Sequence, residues 1–278
     1  MKQHTLHSTY TFTGKGLHTG KPVTMQLLPA PQDYGIVFQR TDLGSGVEVH
    51  ARVENVIQTR RCTTLSERGV KIMTAEHLLS ALYAMGVDNA LVQIDAAEVP
   101  ILDGSALPYV EAIREHGLME QPADRRPFVV ERPFVYEDLK SGSRITFDPA
   151  DSFSAEVTID FKSKVIGVQH ARFDEAVNYD REIAPCRTFC FRKEVLMLRL
   201  FGLIKGGSLD NALVVDEPRG YLGDPVLQFP DEPARHKLLD LLGDLALAGR
   251  PIQGRVTAYK PGHKTNTNAL KQLLASTI

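Results

Sequence analysis

Two short echoes constrain this chain more than any other feature. Ala75-Glu76-His77 opens one helical run and Ala234-Arg235-His236 opens another. The first run carries Leu78, Leu79, Leu82 and Met85 at helical spacing, with Thr74 available as a cap and Gly86 as the stop. The second covers Pro233–Leu247 and ends before Gly249. Each is followed by a strand-like run and a glycine turn, Gly104 in one half and Gly262 in the other. Upstream, Pro29-Ala30 and Pro149-Ala150 both sit between strand-like runs. The histidines are 159 residues apart but the Pro-Ala pairs only 120, so the second half has gained about 39 residues, expected within 160–215. The pattern predicts one supersecondary design used twice.

Within the first half, Val23–Leu28 and Gly35–Phe38 read as two strands joined by a turn, and Leu91–Ile94 as a further strand. Asp103-Gly104-Ser105 is a turn, and Pro108–His116 is a helix ended by Gly117. Gln121–Pro127 is polar, carries two prolines and lacks periodicity, which is linker composition. The expected domains are therefore 1–122 and 127–278, a size for which two cores are the natural arrangement.

Composition excludes several classes. With 43% hydrophobic and 24% charged residues the chain is neither disordered nor fibrous, and a net charge of −2 without a basic arm gives no pull toward nucleic acid. Cys62, Cys186 and Cys190 are an odd set, and the polar N-terminus lacks an apolar core with a cleavage site, so a cytoplasmic location with free thiols is expected. The most apolar stretch, Val195–Ile204, is interrupted by Arg199 and falls short of the roughly 20 residues that span a bilayer, which limits membrane contact to the periphery. A monomer is the default expectation.

His236 and Asp240 are four apart on a helix, so both side chains can address one ion, and Asp244 lies a turn further along that face. Taken alone, His236, Lys237, Asp240 and Asp244 read at least as readily as the wet side of an amphipathic helix. Glu76 likewise suits a helix N-terminus for dipole reasons, and a lone histidine such as His77 is more often structural than ligating. The repeat changes this, because related halves would bring His77 and His236 face to face with Asp240 completing two histidines and a carboxylate. Three protein ligands leave a fourth position in which zinc lowers the pKa of water to about 7. Ferrous iron is compatible with the same ligand types. Glu76 could then accept a water proton, and His263, after the Gly262 turn, could protonate a departing amine.

Seven segments together carry a resemblance: Gly16-Leu-His-Thr-Gly20, Thr74-Ala-Glu-His77, Ile101-Leu-Asp-Gly-Ser105, Arg187-Thr-Phe189, Gly206-Gly-Ser208, His236-Lys-Leu-Leu-Asp240 and Thr257-Ala-Tyr-Lys-Pro-Gly-His263. In these the chain resembles the UDP-3-O-acyl-N-acetylglucosamine deacetylases, from near its N-terminus to about residue 274. The resemblance implies an α+β fold of two related α/β domains with helices sandwiched between sheets. It implies removal of the acetyl group from UDP-3-O-(3-hydroxyacyl)-N-acetylglucosamine, the committed step of lipid A synthesis, a lipopolysaccharide precursor pathway. It assigns zinc to His77, His236 and Asp240, the general base to Glu76, the general acid to His263 and the positioning of that imidazole to Asp244. Thr188 and Lys237 would stabilise the oxyanion. Asp160, Phe161 and Lys260 would bind the nucleotide, with Phe189 beside the substrate.

The apolar residues of the extra segment, Leu196, Leu198, Leu200 and Phe201 among them, are too many for one narrow stripe, so a helix there is expected to bury most of its surface. The resemblance gives them another use, an acyl-chain passage at about 190–207, where each buried CH₂ contributes about 0.8 kcal/mol. Arg60-Arg61 before Cys62, and Cys190 after the Arg-Thr-Phe motif, depart from the family pattern. Some relatives continue into a fused dehydratase. Two rivals are a zinc esterase or phosphoesterase, which has no use for an apolar passage beside a nucleotide site, and a non-enzymatic binding module, which needs no metal.

Overall fold

The computed structural model describes residues 1–44 and 46–276. It has six α-helices among these residues: α1 (Glu76–Ala84), α2 (Leu107–His116), α3 (Tyr179–Glu182), α4 (Arg192–Leu200), α5 (Glu232–Leu245) and α6 (His263–Ala275). Two five-stranded sheets share one strand order. In space the first runs Tyr10–Lys15, Pro22–Pro29, Ala90–Ile94, Ile36–Arg40, Glu48–His50. The second runs Phe134–Asp138, Ser143–Asp148, Arg255–Tyr259, Ser154–Asp160, Val168–Phe173. The repeat inferred from the echoes is thus present as a repeated topology, and the fold is α+β with helices packed against sheets.

In each sheet the strand after the long helix is inserted centrally, antiparallel to the second strand and parallel to the third. Pro22–Pro29 and Ile36–Arg40 are therefore consecutive in the chain but not hydrogen-bonded partners, as a simple hairpin would have them. Alternation along Pro22–Pro29 turns Val23, Met25 and Leu27 inward, onto a core continued by Leu78, Leu82, Tyr109 and Val110. In the second half, α5 packs against Ser154–Asp160 and Val168–Phe173, while α6 covers Phe134–Asp138 and Ser143–Asp148.

The two halves meet where α1 packs on α5. The contact is a backbone approach: a Cβ at Gly243 would fall on the Glu76 carbonyl oxygen and stand 3.0 Å from the Glu76 Cα. Glycine here lets the two helices nearly touch.

Several local expectations change. Thr74 does not cap α1; it adopts φ 56° and its hydroxyl donates to Glu98 Oε1 at 2.9 Å, while the position before the helix is Ala75, without a side-chain cap. The polar stretch read as a linker begins as β structure, because Leu118–Asp124 pairs antiparallel with Lys2–Leu6. Its order comes from buried amides: Gln121 donates to the Ala30 carbonyl at 2.9 Å and accepts from Asn89 at 2.8 Å. Hydrophobic periodicity cannot report such a network.

The extra segment follows Val168–Phe173, which belongs to the main sheet. Between it and α5 lie α3, α4 and a small sheet of Phe189–Phe191, Leu213–Asp216 and Gly220–Tyr221. The helix α4 does not bury most of its surface. Leu198 is buried, but Leu196, Leu200 and Phe201 are 71%, 75% and 60% exposed. Its apolar excess faces outward because only one stripe meets the small sheet.

Candidate metal centre and active site

His77 comes from the first turn of α1, and His236 and Asp240 come from one face of α5. Packing α1 on α5 puts one ligand atom from each within 4.8 Å of the others. Asp240 Oδ1 lies 3.7 Å from His77 Nε2 and 3.5 Å from His236 Nε2, and the two imidazole rings stand nearly perpendicular, 5.0 Å apart. His236 Nδ1 donates to the Cys186 carbonyl at 2.9 Å, which fixes the tautomer and leaves the Nε2 lone pair aimed inward. All three residues are buried, and Asp240 Oδ1 has no hydrogen-bond partner among the described residues. A buried carboxylate oxygen left unsatisfied costs stability unless something binds it. Two nitrogen donors and one oxygen around a common point suit zinc, so the residues fit the ion that the ligand types call for.

Electrostatics agree with a site built for a cation. Burial, reinforced by the neighbouring His236, lowers His77 to about 3, so its imidazole is neutral. His236 is lowered as well, chiefly by burial. Burial opposes ionisation of Asp240, yet the Lys237 ammonium at 2.6 Å and the surrounding histidines hold its carboxyl far below the usual range.

Beside this trio sits a second group. Glu76 is the first residue of α1; Oε2 accepts from the Thr63 backbone N–H at 3.0 Å, and Oε1 faces His263 Nε2 at 3.7 Å. Burial raises Glu76 to about 7, with Asp240 and Asp244 adding to the rise against His263. His263 opens α6 and donates from Nδ1 to Asp244 Oδ2 at 3.0 Å. Burial works against its protonation, but Asp244, Glu76 and Asp240 outweigh it and raise His263 to about 9. Asp244 is fixed in turn by Thr63 Oγ1 at 2.6 Å and Asn266 Nδ2 at 2.8 Å. A carboxylate and an imidazolium thus face each other with shifted affinities for protons, a pattern suited to acid–base chemistry.

A cavity of about 540 Å³ exposes Glu76, His77, Asp240 and His263, and reaches Lys237 and Lys260. A second cavity, about 500 Å³, is walled by apolar residues including Val195, Leu196, Leu198 and Leu222. Leu17, Arg61, Thr188 and Phe189 line both, so one continues into the other. Leu200 and Phe201, expected in the passage, line neither cavity. Asp160 and Phe161 also stand outside the cavity walls. Asp160 accepts from Tyr259 at 2.7 Å and pairs with Lys260 Nζ at 3.1 Å; Phe161 packs on Phe189 and Phe191. A larger cavity, about 740 Å³, shares no residue with these two.

A profile of the LpxC family, UDP-3-O-acyl N-acetylglycosamine deacetylase, matches residues 3–275. The chain belongs to this deacetylase family. It is similar to the UDP-3-O-acyl-N-acetylglucosamine deacetylase of Anaeromyxobacter dehalogenans, with 44% identity over 98% of this chain and 87% of that protein. Similarity to the same-named protein of Pseudomonas entomophila is 43% over 100% of this chain and 91% of that one. The Bifunctional enzyme LpxC/FabZ of Bacteroides thetaiotaomicron is 40% identical over 98% of this chain, which spans 64% of that longer protein.

In this family member, parts of the site had no individual signal in the sequence. Glu98 is the clearest: its carboxylate accepts from the backbone N–H groups of His18 and Thr19, each at 2.8 Å, and from the Thr74 hydroxyl. It ties the Gly16–Gly20 turn to the entry of α1. That turn was visible as a motif, but its buried partner is a lone acid in an apolar stretch. Thr63 and Asn266, which orient Glu76 and Asp244, were equally silent. Cys62 is buried and its thiol is pushed up to about 12 by burial. Cys186 and Cys190 are free thiols.

Proposed function

We propose that this chain is a metal-dependent amidohydrolase that removes the N-acetyl group of UDP-3-O-(3-hydroxyacyl)-N-acetylglucosamine, giving UDP-3-O-acyl-glucosamine and acetate in lipid A synthesis. The observation that carries the reading is the unsatisfied Asp240 Oδ1 between two neutral histidines, in a cavity that continues into an apolar one. Family membership names the reaction; the two joined cavities match a substrate with a polar sugar and an acyl chain.

Zinc held by His77, His236 and Asp240 would polarise the acetyl oxygen and acidify a water, chemistry that ferrous iron could also supply. Glu76, anchored by the Thr63 N–H, takes the proton from the attacking water as its oxygen adds to the acetyl carbon. Thr188 and Lys237 donate to the oxygen that gains charge. Thr188 is held for this by its backbone, which donates to Gly104 O and accepts from Leu213 N. His263, charged and oriented through Asp244, delivers a proton from Nε2 to the amine nitrogen as the C–N bond breaks. Lys260, kept in place by Asp160, meets the diphosphate, and Phe161 supports Phe189 against the substrate. The acyl chain occupies the passage walled by Leu196 and Leu198. We assign the protein to the cytoplasm as a monomer, with at most peripheral membrane contact; among the described residues no helix is long and apolar enough to cross a bilayer.

The test is acetate release by metal-loaded wild type and Glu76→Ala, with bound metal quantified in both. Turnover in wild type, near-stoichiometric metal in both and a loss of about 10²-fold or more in the variant are expected. Metal without turnover would refute the substrate; absence of metal would refute the site.

A further inference from the structure

We infer that Arg61 reads the acyl linkage of the substrate, and that Glu194 on α4 holds it in position to do so. The inference rests on the deacetylase reading above. If the sugar sits by Glu76 and His263 and the acyl chain runs along α4, the ester joining them must cross the place where the two cavities meet. Four residues line both cavities, and Leu17 and Phe189 offer no side-chain donor there. Thr188 is placed at the oxyanion. Arg61 is the remaining polar group, and the only cation among the four.

Its geometry is that of an anchored donor. Arg61 Nη2 donates to Glu194 Oε1 at 2.6 Å, while Nε and Nη1 have no partner among the described residues. A guanidinium has five N–H donors in a rigid fork, so engagement on one side aims the others without consuming them. Glu194 is itself restrained, because its other oxygen accepts from the Phe191 N–H at 3.4 Å, at the start of α4. Arg60 grips the far end of the same helix, its guanidinium 5.2 Å from the Phe201 ring centroid. Arg61 also adopts φ 72°, a left-handed backbone that a residue with a side chain keeps only where its surroundings fix it. Adjacent arginines from one loop thus pin both ends of the helix that walls the acyl passage, and one of them presents spare donors at the junction. An ester carbonyl is the acceptor that the substrate brings there.

The test compares the 3-O-acyl substrate with a 3-O-alkyl ether analogue of equal chain length, which lacks that carbonyl. Measured are kcat/KM for both and, by calorimetry, Kd for both deacetylated products, which bind without further chemistry. Wild type should prefer ester to ether by about tenfold or more, the scale of a hydrogen bond to a charged group. Arg61→Met should bring that ratio close to one in both measurements, and Arg61→Lys should keep part of it. Glu194→Gln should weaken the preference, and the double variant should be no worse than Arg61→Met. Equal loss on ester and ether in Arg61→Met, with an unchanged ratio, would reduce Arg61 to a structural role and overturn the inference. Absence of acetate from either substrate in metal-loaded wild type would instead overturn the deacetylase reading itself, and the inference with it.

Discussion

Replacing Gly243 with alanine tests whether the α1–α5 contact builds the site. Gly243 lies inside α5 with an ordinary helical backbone, where alanine is intrinsically preferred by about 1 kcal/mol. Propensity alone therefore predicts that Gly243→Ala stabilises the protein. Packing predicts the reverse, since the new methyl would overlap the Glu76 carbonyl oxygen and approach its carbonyl carbon to 2.8 Å. Neither neighbour is a flexible side-chain tip; both belong to the backbone of the first turn of α1. Relief requires the helices to part by roughly 1 Å, and overpacking of this kind costs about 1–3 kcal/mol or more. The packing term wins, and a net loss of about 2 kcal/mol lowers the melting temperature by roughly 4–8 °C. The same displacement carries Glu76 and His77 away from His236 and Asp240, so zinc affinity should fall by at least about tenfold, because ligation tolerates distance errors of only about 0.2 Å. Thermal unfolding of metal-free protein and competitive zinc titration give the two numbers. A melting temperature that rises, with zinc affinity unchanged, would refute the close approach.

Further outcomes follow from the same geometry. Adding zinc to chelator-treated protein should raise its melting temperature, growing with free zinc as binding linkage requires, and the rise should shrink strongly in Asp240→Asn. Against pH, kcat/KM should fall on the acid side as Glu76 is protonated and on the alkaline side as His263 loses its proton. A bound dication lowers both affinities for protons, so the limbs should lie below about 7 and about 9, the values of the metal-free site. In His263→Gln the residual rate should lose the alkaline limb while the acid limb remains; persistence of the alkaline limb would assign it elsewhere. Arg187→Met should destabilise by about 3–5 kcal/mol in chemical denaturation, because it strips the Nε and Nη2 donors at 2.9 and 3.2 Å from Glu232, a carboxylate with no solvent exposure. A loss under 1 kcal/mol would show that the backbone N–H groups of Arg187 and Gln228, with water, suffice for that carboxylate.

What was legible in the sequence was whatever repeats or has a fixed spacing. The i, i+4 relation of His236 and Asp240 reports a shared face whatever the rest of the chain does. Matched positions of His77 and His236 report a pairing because the two sheets have the same strand order. Pairing across sheets was not legible: Ala90–Ile94 separates two strands that are neighbours in the chain, and local alternation carries no information about that. Amide networks were also invisible, so Gln121 looked like linker and Glu98 like nothing at all. For α4, composition promised burial, but burial depends on how many sides a helix has covered. Lining the apolar cavity takes Val195, Leu196 and Leu198, and leaves Leu200 and Phe201 outside it.

The distribution of labour between the halves explains why the reactive groups sit at their contact. Each helix brings part of the set to the contact: α1 brings Glu76 and His77, while α5 brings His236, Asp240 and Asp244. Together they are buried with an unpaired carboxylate oxygen and with a Glu76 carboxyl that burial raises to about 7, which is unfavourable for the folded chain by itself. Apolar side chains such as Leu78, Leu238 and Leu242 fill the surrounding core and offset that cost. The glycine at 243 lets two backbones approach until the polar atoms converge. A cation bound there would relieve both terms at once, because it would partner Asp240 Oδ1 and favour the ionised Glu76. The conflict in the metal-free site would therefore favour a bound cation, and a repeated topology supplies it by bringing one histidine from each half to a shared interface.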